Sequence, residues 1–198
     1  MADDHDLSLI ENEVSSIRDF CGEDFLLVVY KVNRWNQDLS PWPEPPVFGN
    51  EEFGDGAAQT LKYVLDDLAP VCAGKSCFIG GYSLAGLFAL WSVYQTDLFE
   101  GAACASPSVW FPGFTDYMMG NELRAKSVYL SLGDREERTR NQIMSTVGNR
   151  IRNIHEYLLG KGVECTLEWN QGNHFTKPAV RTAKAFSWVM KNAKKNHS

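Results

Sequence analysis

No apolar run in the 198 residues approaches the roughly 20 that a membrane-crossing helix needs. A basic excess is missing too: 19 Lys and Arg stand against 25 Asp and Glu, for a net charge of −6. Nucleic acid, which needs a positive footprint, is therefore not an expected partner. Histidine is scarce, with four residues, and His5, His155, His174 and His197 are scattered. The five cysteines form no CxxC pair. Neither residue type clusters as metal ligands do, so no metal site is expected. Cys77 and Cys165 sit in apolar or alternating runs and read as thiols acting as small hydrophobes in a reducing compartment. The start, MADDHDLSLIENE, is acidic and lacks the basic and apolar regions of a signal peptide. Together these points predict a cytoplasmic protein. Repeats and low-complexity tracts are also lacking. Residues 1–198 therefore read as one domain, with 1–22 as a leading helical segment.

What is present is an alternation of two textures. Short apolar runs at 25–31, 76–80, 101–105, 127–132 and 163–169 read as strands. Helical patterns lie between them. Asp55 is placed to cap a helix carrying Leu61, Val64, Leu65 and Leu68 on one face. Ile143, Val147, Ile151, Ile154 and Leu158 make a second stripe. Ala179, Ala183, Phe186 and Met190 make a third, and Ile10, Val14 and Ile17 a short leading one. From Leu84 to Gln95, apolar residues cover nearly the whole circumference, as in a helix buried on all sides. Strands alternating with helices predict an α/β domain with a mostly parallel sheet of about five strands and helices on both faces. In such sheets the site forms beyond the carboxyl ends of the strands.

One segment there carries chemistry. The run SCFIG is followed by Gly81-Tyr82-Ser83-Leu84-Ala85-Gly86 and then by the buried helix. A serine wedged between strand and helix, with small residues two positions before and after it, is a nucleophile elbow. The chain reverses so sharply that the flanking residues touch and must be small. The usual second glycine is Ala85 here, which adds one methyl.

A serine hydroxyl is a poor nucleophile at neutral pH unless a base takes its proton. His5 and His197 are close to the ends, and His155 lies beside the stripe of an amphipathic helix. His174, in Gln171-Gly172-Asn173-His174-Phe175, follows the last strand and falls at the right edge. An acid to orient the imidazole belongs after the strand 127–132, where the sequence reads Gly133-Asp134-Arg135-Glu136-Glu137. In hydrolase folds the acid commonly sits about three residues after such a glycine, and that resemblance makes Glu136 the first choice, with Asp134 the second and Glu137 the third. The order serine, acid, histidine is that of α/β-hydrolases. Two backbone N–H groups are needed for an oxyanion. Leu84 supplies one, and Trp35 or Asn36, after the first strand, the other.

GGYSLAGLFALW, then ASPSVWF, then GNHF, resemble the esterase branch of the α/β-hydrolase superfamily, a minimal version of that fold. The branch includes siderophore esterases of the enterochelin type, S-formylglutathione hydrolase and mycolyltransferases. The likeness runs from about residue 25 to 190. It implies Ser83 as nucleophile, His174 as base and a carboxylate from the 134–137 turn, without choosing among them. Relatives carry further strands before the one that leads to the oxyanion loop. An exposed sheet edge invites covering by the N-terminal helix or by a second copy of the chain, a homodimer.

Aromatic residues gather near the expected site. Tyr82, Trp42, Trp110 and Phe111 are candidates for substrate binding, Trp42 on the stiff loop Pro41-Trp42-Pro43-Glu44-Pro45-Pro46. The expected function is a serine carboxylesterase acting on a small-molecule ester without cofactor or metal. The alternatives are an acyltransferase with the same residues, or a hydrolase-fold binding protein without catalysis.

Overall fold

A computed structural model describes residues 10–22 and 24–195; the acidic start, His5 and His197 lie outside the described residues. The elements are α1 (Ile10–Cys21), α2 (Trp35–Asp38), α3 (Ala57–Cys72), β1 (Phe78–Tyr82), α4 (Leu84–Gln95), β2 (Gly101–Ala105), α5 (Phe114–Gly120), β3 (Ser127–Gly133), α6 (Val147–Gly160), β4 (Glu164–Asn170) and α7 (Pro178–Lys195). The four strands run in the order β1-β2-β3-β4, every pairing parallel.

Period-two alternation sends the two sides of each strand into different cores. Ile79, Ala102, Cys104, Val128, Leu130 and Leu132 face one layer, where α3, α4 and α6 pack. Ala103, Ala105 and Tyr129 face the other, against Ala185 and Val189 of α7, and α1 packs on the back of α7. Helices thus cover both faces. In α4 every residue from Leu84 to Tyr94 is buried, as its all-round apolar surface requires.

Three expectations need correction. The sheet has four strands among the described residues rather than about five. Residues 25–30 carry no strand, although half-buried and exposed positions alternate along 25–29. They stand off from the outer edge of β1 across an apolar cavity of about 900 Å³ that both line, so no ladder forms. Asp55 does not cap α3: the N-cap is Gly56, and no side chain bonds there. Cys77 is not a thiol. It forms a disulfide with Cys72, joining the end of α3 to the start of β1. The Cα atoms are 6.1 Å apart, within the range a disulfide spans. The cysteine argument for a reducing compartment falls with it, since such bonds persist in oxidising ones.

Register positions the site. Tyr82 pairs with Ala105 and Ala105 with Ser131, so the residues that leave β1, β2 and β3 emerge side by side. Gly133 pairs with Asn170, which brings the loop after β4 to the same edge. No described helix is long and apolar enough to cross a membrane.

Candidate active site

Ser83 stands between β1 and α4 with φ 59° and ψ −124°. A positive φ is strained for a serine, and the surroundings impose it. Its amide donates to the Ala105 carbonyl at 3.2 Å, and its carbonyl accepts from the amides of Leu87 and Ser108 at 3.1 and 3.0 Å. A Cβ added at Gly81 would lie 2.7 Å from that of Ala85. The positions two before and two after the serine are therefore in contact, and a larger residue at either would push the turn open.

Pinned in this way, the Ser83 hydroxyl lies 3.0 Å from Nε2 of His174. The other ring nitrogen, Nδ1, is 2.7 Å from Oε2 of Glu136. Oε1 of Glu136 accepts from the Gly133 amide at 2.7 Å, the Ser106 hydroxyl at 2.8 Å and Nη1 of Arg181 at 2.8 Å. The Glu136 side chain is only 5% exposed, the His174 ring 30%. Burial alone would push the Glu136 carboxyl up. Hydrogen bonds from His174, Gly133 and Ser106 outweigh it and hold the group below its ordinary value. An ionised carboxylate at Nδ1 favours the tautomer with the proton there, which leaves Nε2 free to accept from the serine.

The two other carboxylates of the turn are engaged elsewhere. Asp134 accepts from the Gly172 amide at 2.9 Å, tying its own turn to the histidine loop. Glu137 is 3.4 Å from Nη1 of Arg152 on α6. Gly133 lies where these segments converge. A Cβ there would be 2.5 Å from the Gly172 carbonyl oxygen and 2.9 Å from Oε1 of Glu136.

Leu84, the first residue of α4, follows Ser83 directly, so its amide is among the helix's first donors, which have no intrahelical acceptor. Trp35 and Asn36 open the short α2. Asn36 is buried, and its carbonyl accepts from the Ser40 hydroxyl at 2.6 Å and the Gly54 amide at 3.2 Å.

The aromatic candidates are placed unequally. Tyr82 lies behind the imidazole, ring centroids 5.2 Å apart, and donates its hydroxyl to the His174 carbonyl at 2.6 Å. Burial first, then the nearby Glu136 charge, push its phenol up, against the effect of Ser106 and Arg181, so it stays a donor. Trp42 donates from Nε1 to the Pro112 carbonyl at 3.1 Å and packs on Phe111 and Phe114. Trp110 is nearly buried against Phe48 and Phe53. Phe111 is 0% exposed. With its ring closed off from solvent, it packs the proline-rich loop onto the core rather than offering a wall to a ligand. Phe175, next to His174, is 85% exposed and its ring stands edge-on to the imidazole. The large cavity beyond β1 reaches Gly81 and Tyr82 but is not lined by Ser83 or His174.

Two residues of this cluster were not singled out from the sequence. Ser106 leaves β2 with a positive φ of 42°, next to Ser83 in the neighbouring strand-end position. Arg181 is a buried cation on α7. Its signal was available: at four-residue steps it shares a stripe with Ala185 and Val189, where a charge is out of place.

No protein-family model matches the sequence, and no curated protein does. Solved structures match in shape. The siderophore hydrolase EstA from Aspergillus nidulans is similar with a TM-score of 0.64 and 19% identity, over 94% of this chain and 79% of that one. An IroE-like serine hydrolase from Shewanella oneidensis gives a TM-score of 0.68 and 14% identity, over 92% and 67%. The enterobactin esterase FES from Shigella flexneri gives 0.53 and 15%, over 70% of this chain and 39% of that one. At such identities the likeness is one of fold: the chain has the α/β-hydrolase fold, shared with solved structures of the superfamily's esterase branch.

Proposed function

We propose that the chain is a serine hydrolase that cleaves a carboxylic ester through an acyl-enzyme. The observation that carries this reading is the unbroken hydrogen-bonded chain from Ser83 through His174 to Glu136, at 3.0 and 2.7 Å. In this scheme the Ser83 oxygen attacks the ester carbonyl while Nε2 of His174 takes its proton. The imidazolium faces the Glu136 carboxylate, which stabilises it. The proton then passes to the leaving alcohol. Water, activated by the same histidine, resolves the acyl-enzyme. The tetrahedral oxyanion sits at the N-terminus of α4, where the Leu84 amide is one donor and the turn at Trp35 and Asn36 the other. The scheme calls on no cofactor or metal.

An ester rather than an amide is supported by the fold neighbours, which are named as a siderophore hydrolase and an enterobactin esterase. Compact small-molecule esters suit a serine beside an exposed Phe175, since an exposed ring offers an aryl or acyl group a face to rest on.

The test is labelling of the purified protein with a fluorophosphonate, the adduct mapped by mass spectrometry. An adduct on Ser83 that disappears in His174→Ala is expected. A folded wild-type protein without the adduct would overturn the reading.

A further inference from the structure

Arg181 is the largest fully buried side chain of the described protein, 2% exposed, yet it carries a permanent charge. Its two terminal nitrogens divide their work. Nη1 donates to Oε1 of Glu136 at 2.8 Å, to the Ser106 hydroxyl at 3.1 Å and to the Tyr82 hydroxyl at 3.1 Å. Nη2 donates to the carbonyls of Asn173 at 3.1 Å and Gln171 at 3.4 Å. One arm therefore holds the carboxylate, and the other holds the main chain just before His174. A buried guanidinium loses its hydration at high cost unless its partners are this complete. A fork of five fixed donors can serve both arms at once, which an ammonium cannot.

We propose that Arg181 is a positioning residue: it clamps Glu136 and the His174 loop into one rigid body, so that acid and base keep their alignment on Ser83. This rests on the serine-hydrolase reading of the site. Tyr82 extends the clamp, since its hydroxyl accepts from Arg181 and donates to the His174 carbonyl. Arg181 also sets the charge balance of the pair. The groups that face it are Ser83, Ser106 and Tyr82 from the strand ends and Arg181 from α7. Asp134, Arg135 and Glu137 share the turn, Glu137 opposite Arg152 of α6. Of these cations only Arg181 touches Glu136. Without it, Glu136 takes up a proton more readily. That moves the loss of activity on acidification to higher pH.

Two variants separate these effects. Arg181→Met removes both the charge and the fork; Arg181→Lys keeps the charge and loses the fork. With a p-nitrophenyl ester, Arg181→Met is expected to lose about 100-fold in kcat, as misalignment of reacting groups by about 1 Å does, with KM little changed. The acid limb of its profile is expected at higher pH. Arg181→Lys is expected to restore the limb but not the full kcat. A purely structural role would lower thermal stability and leave the activity per folded molecule, and the limb, where they were. A folded Arg181→Met with wild-type kcat would overturn the proposal. Where Arg181→Met does not fold, wild-type kcat in Arg181→Lys would do so. The low-field proton resonance of the Nδ1–H held by Glu136 gives a readout without catalysis. It is expected in the wild type and weakened in both variants. A wild type that fails to label with fluorophosphonate while this resonance follows Arg181 would sink the enzymatic reading and keep the clamp. A labelled wild type whose resonance ignores Arg181 would do the reverse.

Discussion

The hydroxyl of Ser83 and Nε2 of His174 lie 3.0 Å apart although 91 residues separate them in the chain. Two unrelated local devices produce that meeting. One is the strained turn between β1 and α4. The other is the loop after β4, stitched to the strand-β3 turn by Asp134 and Gly133 and to α7 by Arg181. Acid, base and serine thus depend on contacts that cross all four strand ends, and each can be perturbed separately.

The three carboxylates of the 134–137 turn should differ sharply in their effect on rate. Glu136→Gln keeps the shape but removes the charge and permits the wrong imidazole tautomer. A loss of up to about 10⁴-fold in kcat is expected, as for the acid of known triads. Asp134→Asn keeps an acceptor for the Gly172 amide and is expected to stay within about 10-fold of wild type. Equal losses in the two variants, measured with one ester, would remove Glu136 from its assigned role.

How far the sequence reaches follows from this comparison. Ser83 and His174 stand out because the elbow and the post-strand loop are local patterns, readable within a few residues. The turn 134–137 offers three carboxylates within four positions, and the spacing from Gly133 ranks Glu136 first without excluding Asp134 or Glu137. The Gly133 amide within the turn, together with Ser106 from the end of β2 and Arg181 from α7, holds Glu136 as the one at the ring. The strands β1 to β4 are legible as short apolar runs, whereas residues 25–30 read the same way without pairing, because pairing depends on an edge within reach. The Cys72–Cys77 bond escapes the pattern of spacings because it depends on α3 ending beside the first residues of β1, a tertiary fact.

Stability should depend on pH through Glu136. Its carboxyl is held below its ordinary value in the folded protein. The folded state therefore binds that proton more weakly than the unfolded state does. The resulting stability is complete above the ordinary carboxylate range and is lost as pH falls through the lowered value. Urea unfolding between about pH 5 and pH 3 is expected to show a shallower pH slope in Glu136→Gln than in wild type, the range being that of ordinary carboxylates and below. Identical slopes would mean that Glu136 exchanges its proton equally in both states.

Thiol counting tests the disulfide. Cys72 and Cys77 are joined, leaving the sulfurs of Cys21, Cys104 and Cys165 outside the bond. Unfolded protein without reductant is expected to give three reactive thiols, and five after reduction. In the native protein Cys104 should resist alkylation, because burial pushes its thiol well up; burial also pushes Cys165 up to about 12. Five thiols without reductant would show that the bond is open in the sample.

Gly133 lies where the acid turn and the histidine loop meet. A methyl group there would meet the Gly172 carbonyl oxygen at 2.5 Å and Oε1 of Glu136 at 2.9 Å. Neither can yield cheaply: one is main chain, the other a carboxylate already held by Arg181 and Ser106. Gly133→Ala should therefore separate the two loops rather than deform one side chain. Overpacking of this kind costs about 1–3 kcal/mol of stability. The kinetic cost should be larger than the thermal one suggests, since the displaced groups are those that align His174 on Ser83, and misalignment acts on kcat more than on KM. A thermal melt together with kcat and KM for one ester checks both parts. A Gly133→Ala protein that melts lower but keeps its kcat would mean that the loops can separate without disturbing the serine and the histidine.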